Sequence, residues 1–390
     1  MFSQRLSSRL QQHAAENLVR ERVVLTSPQQ VAVQVNGQSM LSFCSNDYLG
    51  LANDPRVVEA FKKGAELYGV GSGASQLISG HSAAHRDLEQ QFAQFLGRDR
   101  ALLFNNGYMA NVGVLQALTQ KNDVIYEDKF NHASLIDAGL LSSAKMLRYA
   151  HHNLNHLEAL LGQPVAGQKF IVTDGVFSMG GDLAPLPKLV ALAKKYDACL
   201  IVDDAHGIGV LGAGRGILQH FNLSQEDVPV LICPLGKAFG GFGAIVAGNS
   251  IMIDSLIQFA RTYIYTTAIP PALAYAVQAS LSIIQEEPER CQYLQSLIAY
   301  FKACVEAHQL SFLSSDTAIQ SLIVGDADAT LALQEALKDQ GFLVGGIRPP
   351  TVPKNTGRLR ITLSVLHTKA HIDQLIATLS HIRRDQCQQI

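Results

Sequence analysis

Short, predominantly apolar runs recur along this chain at Ala101–Phe104, Val124–Tyr126, Phe170–Thr173, Cys199–Val202, Val230–Cys233 and Ala244–Ala247. Amphipathic stretches such as Leu186–Tyr196 separate most of them. A strand that is apolar at every position is buried on both faces. Such strands alternating with helices predict an α/β unit with a mostly parallel central sheet, covered on both sides. This unit is expected over residues 46–275. Before it, Phe2, Leu6, Leu10 and Leu18 have helix-like spacing across residues 2–19. Two short strands, Val31–Val35 and Met40–Phe43, flank an Asn36-Gly37 turn. Asp54-Pro55 opens a helix that runs to Tyr68. After Pro270-Pro271 the pattern changes to helix, strand (Ile319–Val324), helix, two strands (Phe342–Val344 and Leu359–Leu363) and a last helix. The expected organisation is an N-terminal segment (1–45), the α/β unit (46–275) and a smaller C-terminal α+β domain (276–390).

Composition narrows the function classes. Of 390 residues, 47% are hydrophobic and 16% charged, which suits a large packed core. The net charge is −2, from 31 basic and 33 acidic residues, so a nucleic-acid or membrane-surface role is not expected. No apolar run reaches the ~18 residues that a spanning helix needs. The six cysteines, Cys44, Cys199, Cys233, Cys291, Cys304 and Cys387, form no CxxC pair and read as reduced core thiols. A cytoplasmic protein is the expectation. No metal site is expected: His151 and His152 read as surface residues, and His81 and His85 as capping or packing groups at a helix start.

Candidate chemistry gathers where strands end. Asp203-Asp204-Ala205-His206-Gly207 follows the Leu200–Val202 run, and open α/β sheets bind ligands at the carboxyl ends of their strands. Lys237 stands in Pro234-Leu235-Gly236-Lys237-Ala238-Phe239-Gly240-Gly241. That is no P-loop, since Ala238 replaces the Ser or Thr and the earlier glycine is missing. A lysine among small and apolar residues is a candidate Schiff-base former, because desolvation frees its amine. Pyridoxal phosphate (PLP) needs a carboxylate to keep its ring nitrogen protonated and a lysine for its aldehyde carbon. Asp203 and Lys237 close neighbouring runs, so one ligand can reach both. Asn106-Gly107-Tyr108 opens a helix whose unpaired N–H groups suit a phosphate.

Together, Gly107-Tyr108, Asn131-His132-Ala133-Ser134, Asp174–Asp182, Asp203–Gly207 and Gly236-Lys237 resemble the α-oxoamine synthase family, which belongs to fold type I of PLP enzymes. The likeness runs from Asn46–Gly50 to Arg358–Thr362, nearly the whole chain. It implies that Lys237 binds PLP covalently and then removes the substrate's Cα proton. It implies that Asp203 pairs with the ring nitrogen, that His132 stacks on the ring and touches substrate, and that His206 and Ser178 surround the phenolic oxygen. Gly107 and Tyr108 would line the pocket near the phosphate. Arg360, which alone reads as a strand-end surface charge, would hold the amino-acid carboxylate, with Arg20 and Thr351 lining the substrate site. The family's active site lies at a homodimer interface, so Thr266 and Thr267 would serve the partner's phosphate. Relatives carry Ser or Thr three residues before the lysine, where this chain has Pro234. That replaces a phosphate donor with a residue that has none. Ile347–Pro353 resembles the branch that condenses L-alanine with a pimeloyl thioester in biotin synthesis. The acyl carrier, coenzyme A or a carrier protein, stays open. So do a sister reaction such as glycine C-acetyltransferase and a PLP aminotransferase.

Overall fold

The structure, a computed structural model, describes residues 2–388. Two compact units form. The larger comprises Leu49–Ser178 and Leu183–Gln292. The smaller combines the N-terminal residues up to Tyr48, the short stretch Met179–Asp182, and the chain from Tyr293 onward. These limits differ from the expected ones at both ends. The helix Pro271–Glu286 packs on the helices Pro55–Tyr68 and Ala83–Leu96 and so belongs to the larger unit. The N-terminal segment is not a separate body, because its strand Gln38–Ser42 pairs with Phe342–Leu343.

The larger unit is built on a seven-stranded sheet. In spatial order the strands are Arg100–Phe104, Ala244–Gly248, Val230–Pro234, Ala198–Asp203, Lys169–Asp174, Val124–Asp128 and Lys145–Tyr149. All neighbours are parallel except Ala244–Gly248, which runs antiparallel to both of its partners. Alternate residues explain the apolar runs. Leu102, Phe104, Phe170, Val172, Ile201, Val230, Ile232, Ala244 and Val246 share one core cluster with the helices Gly107–Leu118, Ala133–Leu141 and Ser250–Phe259. Their neighbours Leu103, Ile171, Leu200, Val202, Leu231 and Ile245 point the other way and are buried too. The edge strand Lys145–Tyr149 went unforeseen, since Lys145 and Arg148 are exposed and break its apolar character.

The smaller unit holds two three-stranded sheets. One contains Ala32–Val35, Gln38–Ser42 and Phe342–Leu343. The other orders Ile319–Gly325, Gly357–Thr362 and Gly345–Ile347, all antiparallel. Cys233 and Cys291 are buried free thiols, while Cys44, Cys199 and Cys304 are half-buried. The side chain of Cys387 lies outside the described residues.

Candidate active site

The parallel neighbours Ala198–Asp203 and Val230–Pro234 bring Asp203 opposite Ile232. Side chains alternate along a strand, so Asp203 shares the face of Ile201, which packs toward the Gly107–Leu118 helix. There its Oδ2 accepts from Asn111 Nδ2 at 2.7 Å, and its Oδ1 from the Ala205 N–H at 3.0 Å. Asp204 turns elsewhere. Its Oδ2 accepts from the Ile217 N–H at 2.8 Å, and a Cβ at Gly216 (φ +90°) would lie 2.1 Å from the same oxygen. Full burial pushes the Asp204 carboxyl well above the usual carboxylate range. Of these adjacent acids, Asp203 is aimed across the sheet face and Asp204 holds a loop together.

Lys237 sits in the hairpin that joins Val230–Pro234 to its antiparallel neighbour. Leu235 N–H donates to Gly243 O at 2.9 Å, Gly241 N–H to Leu235 O at 3.1 Å, and Gly240 N–H to Lys237 O at 2.8 Å. The loop backbone is therefore pinned on both sides of the lysine. The amine Nζ lies 2.9 Å from His206 Nε2.

At the next strand end, Asn106 caps the Gly107–Leu118 helix, its Oδ1 accepting from the Met109 N–H at 2.9 Å. The Gly107 and Tyr108 N–H groups open the helix, where anions are favoured. Pro234 explains why residue 107 has no side chain: a Cβ there would lie 2.8 Å from Pro234 Cγ. Tyr108 Oη donates to Asp137 Oδ2 at 2.6 Å. Asn105 Nδ2 donates to Thr267 O at 2.8 Å and to Thr266 Oγ1 at 3.4 Å, so both threonines stand beside the start of this helix within one chain.

His132 caps the Ala133–Leu141 helix. Its N–H donates to Asp174 Oδ2 at 2.8 Å. The residue is solvent-exposed, as a group that stacks on a ligand ring must be. Desolvation on its packed side lowers its pKa; Lys237 adds to this, while Asp203 and Asp137 oppose it. Ser178 is half-buried beyond the Lys169–Asp174 strand. His151 and His152 are not the surface residues expected. His151 Nδ1 lies 2.8 Å from Asp128 Oδ1, its ring stacks on Phe130 at 4.5 Å, and the His152 N–H donates to Asp128 Oδ2 at 3.0 Å. His85 does cap: its Nδ1 accepts from the Ser82 N–H at 2.9 Å.

Three expected substrate residues belong to the smaller unit. Arg360 is only 7% exposed, which overturns the reading of a surface charge. Its Nη1 and Nη2 both donate to Asn46 Oδ1 at 3.1 Å, and Nη1 also to Thr362 Oγ1 at 3.1 Å. Arg20 and Thr351 are exposed. Arg348 links their segments by donating to the carbonyls of Asn17 and Val19.

Within the larger unit, then, a buried carboxylate, a lysine amine with an imidazole beside it, an exposed ring and a helix start share one sheet end. That donor set fits PLP: a carboxylate for the pyridine nitrogen, an amine for the aldehyde carbon and amides for the phosphate. Residues 38–379 match the aminotransferase class I and II family. A curated 8-amino-7-oxononanoate synthase of Thioalkalivibrio sulfidiphilus is 51% identical over 381 residues, 97% of each chain. The chain belongs to the α-oxoamine synthase family. Among solved structures, an 8-amino-7-oxononanoate synthase from Francisella tularensis is 34% identical with a TM-score of 0.78, covering 89% of this chain and 98% of that one. A serine palmitoyltransferase from S. paucimobilis with a bound PLP–myriocin aldimine is 27% identical with a TM-score of 0.92, over 97% of both. Like other α-oxoamine synthases the protein is a PLP-dependent acyltransferase of fold type I that joins an amino acid to an acyl thioester. Among the described residues no helix is long and apolar enough to cross a membrane.

Sequence reasoning missed Asn111. Its signal was present: one amide in the otherwise apolar turn Ala110-Asn111-Val112-Gly113-Val114, where a buried polar side chain needs a partner.

Proposed function

We propose that this α-oxoamine synthase condenses L-alanine with a pimeloyl thioester, yielding 8-amino-7-oxononanoate, CO2 and the free thiol carrier in biotin biosynthesis. The observation that carries the reading is 51% identity across 97% of both chains to a curated enzyme of that name. The serine palmitoyltransferase likeness has the higher TM-score but only 27% identity. It speaks for the fold and less for the acyl group. Bound PLP would supply an electron sink conjugated to the substrate's Cα. Lys237 would anchor the cofactor and, displaced by alanine, take the Cα proton on Nζ, with His206 holding that amine. Asp203 would keep the proton on the pyridine nitrogen. His132 would stack on the ring, while His206 and Ser178 bond around its phenolic oxygen. Gly107 and Tyr108 would line the phosphate end. Arg360 would hold the alanine carboxylate, with Arg20 and Thr351 lining the substrate site. The Cα then forms a bond to the thioester carbonyl carbon, the C–S bond breaks, and the thiol carrier leaves. The carboxylate departs as CO2, and Lys237 returns a proton to Cα.

Assembly is part of the proposal: a homodimer in which Thr266 or Thr267 approaches the partner's phosphate site. A fully active monomer by sedimentation overturns that. The substrate reading is tested by offering L-alanine, glycine and L-serine with pimeloyl-coenzyme A and with pimeloyl-carrier protein, and weighing the products. L-Alanine should be strongly preferred, and the two donors identify the carrier. Preference for glycine or serine refutes the proposal. Borohydride reduction of the PLP-loaded enzyme should tag the Lys237 peptide, and Lys237→Ala should abolish the tag. A tag on another lysine refutes the site.

A further inference from the structure

Asn111 has no exposed surface, and its Nδ2 lies 2.7 Å from Asp203 Oδ2 and 2.7 Å from Ser134 Oγ. An amide nitrogen has two N–H groups and nothing to accept with. It therefore donates to both. The amide oxygen of Asn111 has no hydrogen-bond partner among the described residues, so the two nitrogen bonds alone orient the side chain. Ser134 Oγ, having accepted one N–H, has its own proton to give. It lies 2.7 Å from His132 Nδ1. The Ser134 backbone N–H also points at Nδ1, at 3.3 Å. A backbone N–H only donates, so Nδ1 is the unprotonated nitrogen of the neutral ring.

We propose that Asn111 and Ser134 are positioning residues that bind Asp203 and His132 into one hydrogen-bonded unit and fix the His132 tautomer, with Nδ1 accepting and the proton on Nε2. The chain of bonds runs from Asp203 through Asn111 and Ser134 to His132, across two strand ends and two helices. It couples the carboxylate assigned to the cofactor's nitrogen with the ring assigned to its face. His132 thereby presents an N–H, not a lone pair, to whatever lies beyond the network. Asp203 is held at both oxygens, by Asn111 at Oδ2 and by Ala205 at Oδ1. The bond to Asn111 keeps the carboxylate from rotating about its last torsion. This inference rests on the placement of PLP above, and its tests use no substrate.

The experiment is nitrogen NMR of 15N-histidine enzyme, with and without PLP, His132 being assigned by difference from His132→Gln. The wild-type enzyme should show an unprotonated Nδ1 and a protonated Nε2 in both forms. Ser134→Ala should move both resonances toward the average of the two tautomers. Asn111→Ala should do the same in part and weaken PLP binding by about tenfold or more, the value of a hydrogen bond to a charged group. A wild-type ring protonated on Nδ1 overturns the tautomer assignment, and a Ser134→Ala enzyme with the wild-type pattern overturns the positioning role of the Ser134 hydroxyl, because the backbone N–H that remains would then hold Nδ1 by itself. Unaltered PLP affinity in Asn111→Ala overturns the Asp203 half. Because the tautomer is also read without PLP, an error in the cofactor's placement would leave that measurement decisive.

Discussion

Gly107 and Pro234 meet at the end of the sheet that is proposed to receive the phosphate, and Gly107→Ala tests that meeting. The added Cβ would lie 2.8 Å from Pro234 Cγ and 3.2 Å from Pro234 Cβ. Carbon atoms settle at ~3.5–4.0 Å, so the helix start must retreat from the strand end by a substantial fraction of an ångström. Neither side yields easily: Pro234 closes a strand paired with Ala244–Gly248, and Asn106 caps the helix from the other side. Overpacking of this kind costs about 1–3 kcal/mol. Each 1.4 kcal/mol is a factor of ten. If the displaced N–H groups are those that hold the phosphate, PLP affinity falls by about fivefold to 150-fold. Equilibrium titration of PLP-free enzyme, followed by visible absorbance, measures it. Pro234→Ala removes the obstructing Cγ, so the double variant should regain most of the loss, and the two changes should couple strongly in a double-mutant cycle. Wild-type affinity in Gly107→Ala, or a double variant no better than the single one, refutes the reasoning.

Asp203→Asn should cut turnover by orders of magnitude with a nearly unchanged melting temperature, because a neutral amide supports the protonated ring nitrogen poorly. Asp204→Asn should instead lower stability by about 1–3 kcal/mol, since its carboxyl holds the buried Ile217 N–H; equal turnover losses in both would contradict the division between them. Arg360→Ala should weaken L-alanine binding by about 2–5 kcal/mol while leaving PLP binding intact, and Arg360→Lys should restore only part, lacking the guanidinium fork. An unchanged alanine dissociation constant removes Arg360 from the site. Burial lowers the His367 pKa from 6.5 to about 4. The unfolded chain therefore binds the proton first, and the stability contribution, complete above pH 6.5, is lost as pH falls toward 4, by about 3 kcal/mol at most. Urea melts across that range should show the slope in the wild type and not in His367→Asn; the same slope in both speaks against it.

Six of the seven strands of the central sheet were legible because each carries a short run of residues that is mostly apolar and buried on both faces. What failed to show obeys the same physics. Lys145–Tyr149 is an edge strand whose solvent side needs charge, so its pattern is that of a loop. The unit boundaries depend on where the Pro271–Glu286 helix packs and on the short return at Met179–Asp182, and neither leaves a local mark. The motifs point to Asp203, Lys237 and His132 as separate candidates. The amide that joins two of them lies inside an apolar helix turn. Arg360 was ambiguous for another reason: a charge in a strand is a surface group unless something buried receives it, and Asn46 lies far away in sequence.

The strand order also sets a timetable for the nascent chain. Arg100–Phe104 forms an edge of the sheet, and its one sheet partner is Ala244–Gly248, with Arg100 opposite Gly248. As the protein is made from its N-terminus, that strand must wait for its sheet partner while everything between them is synthesised. The strands that carry Asp203 and Lys237 find neighbours close in sequence, and the lysine's hairpin needs only its own two arms. The edge beside the proposed phosphate site is thus the last part of the sheet to close. Long-range pairing of this kind is slow and leaves a strand edge exposed meanwhile. A cofactor that bridges the early and late parts would favour the closed sheet by mass action, so PLP supply during synthesis should raise the yield of folded enzyme.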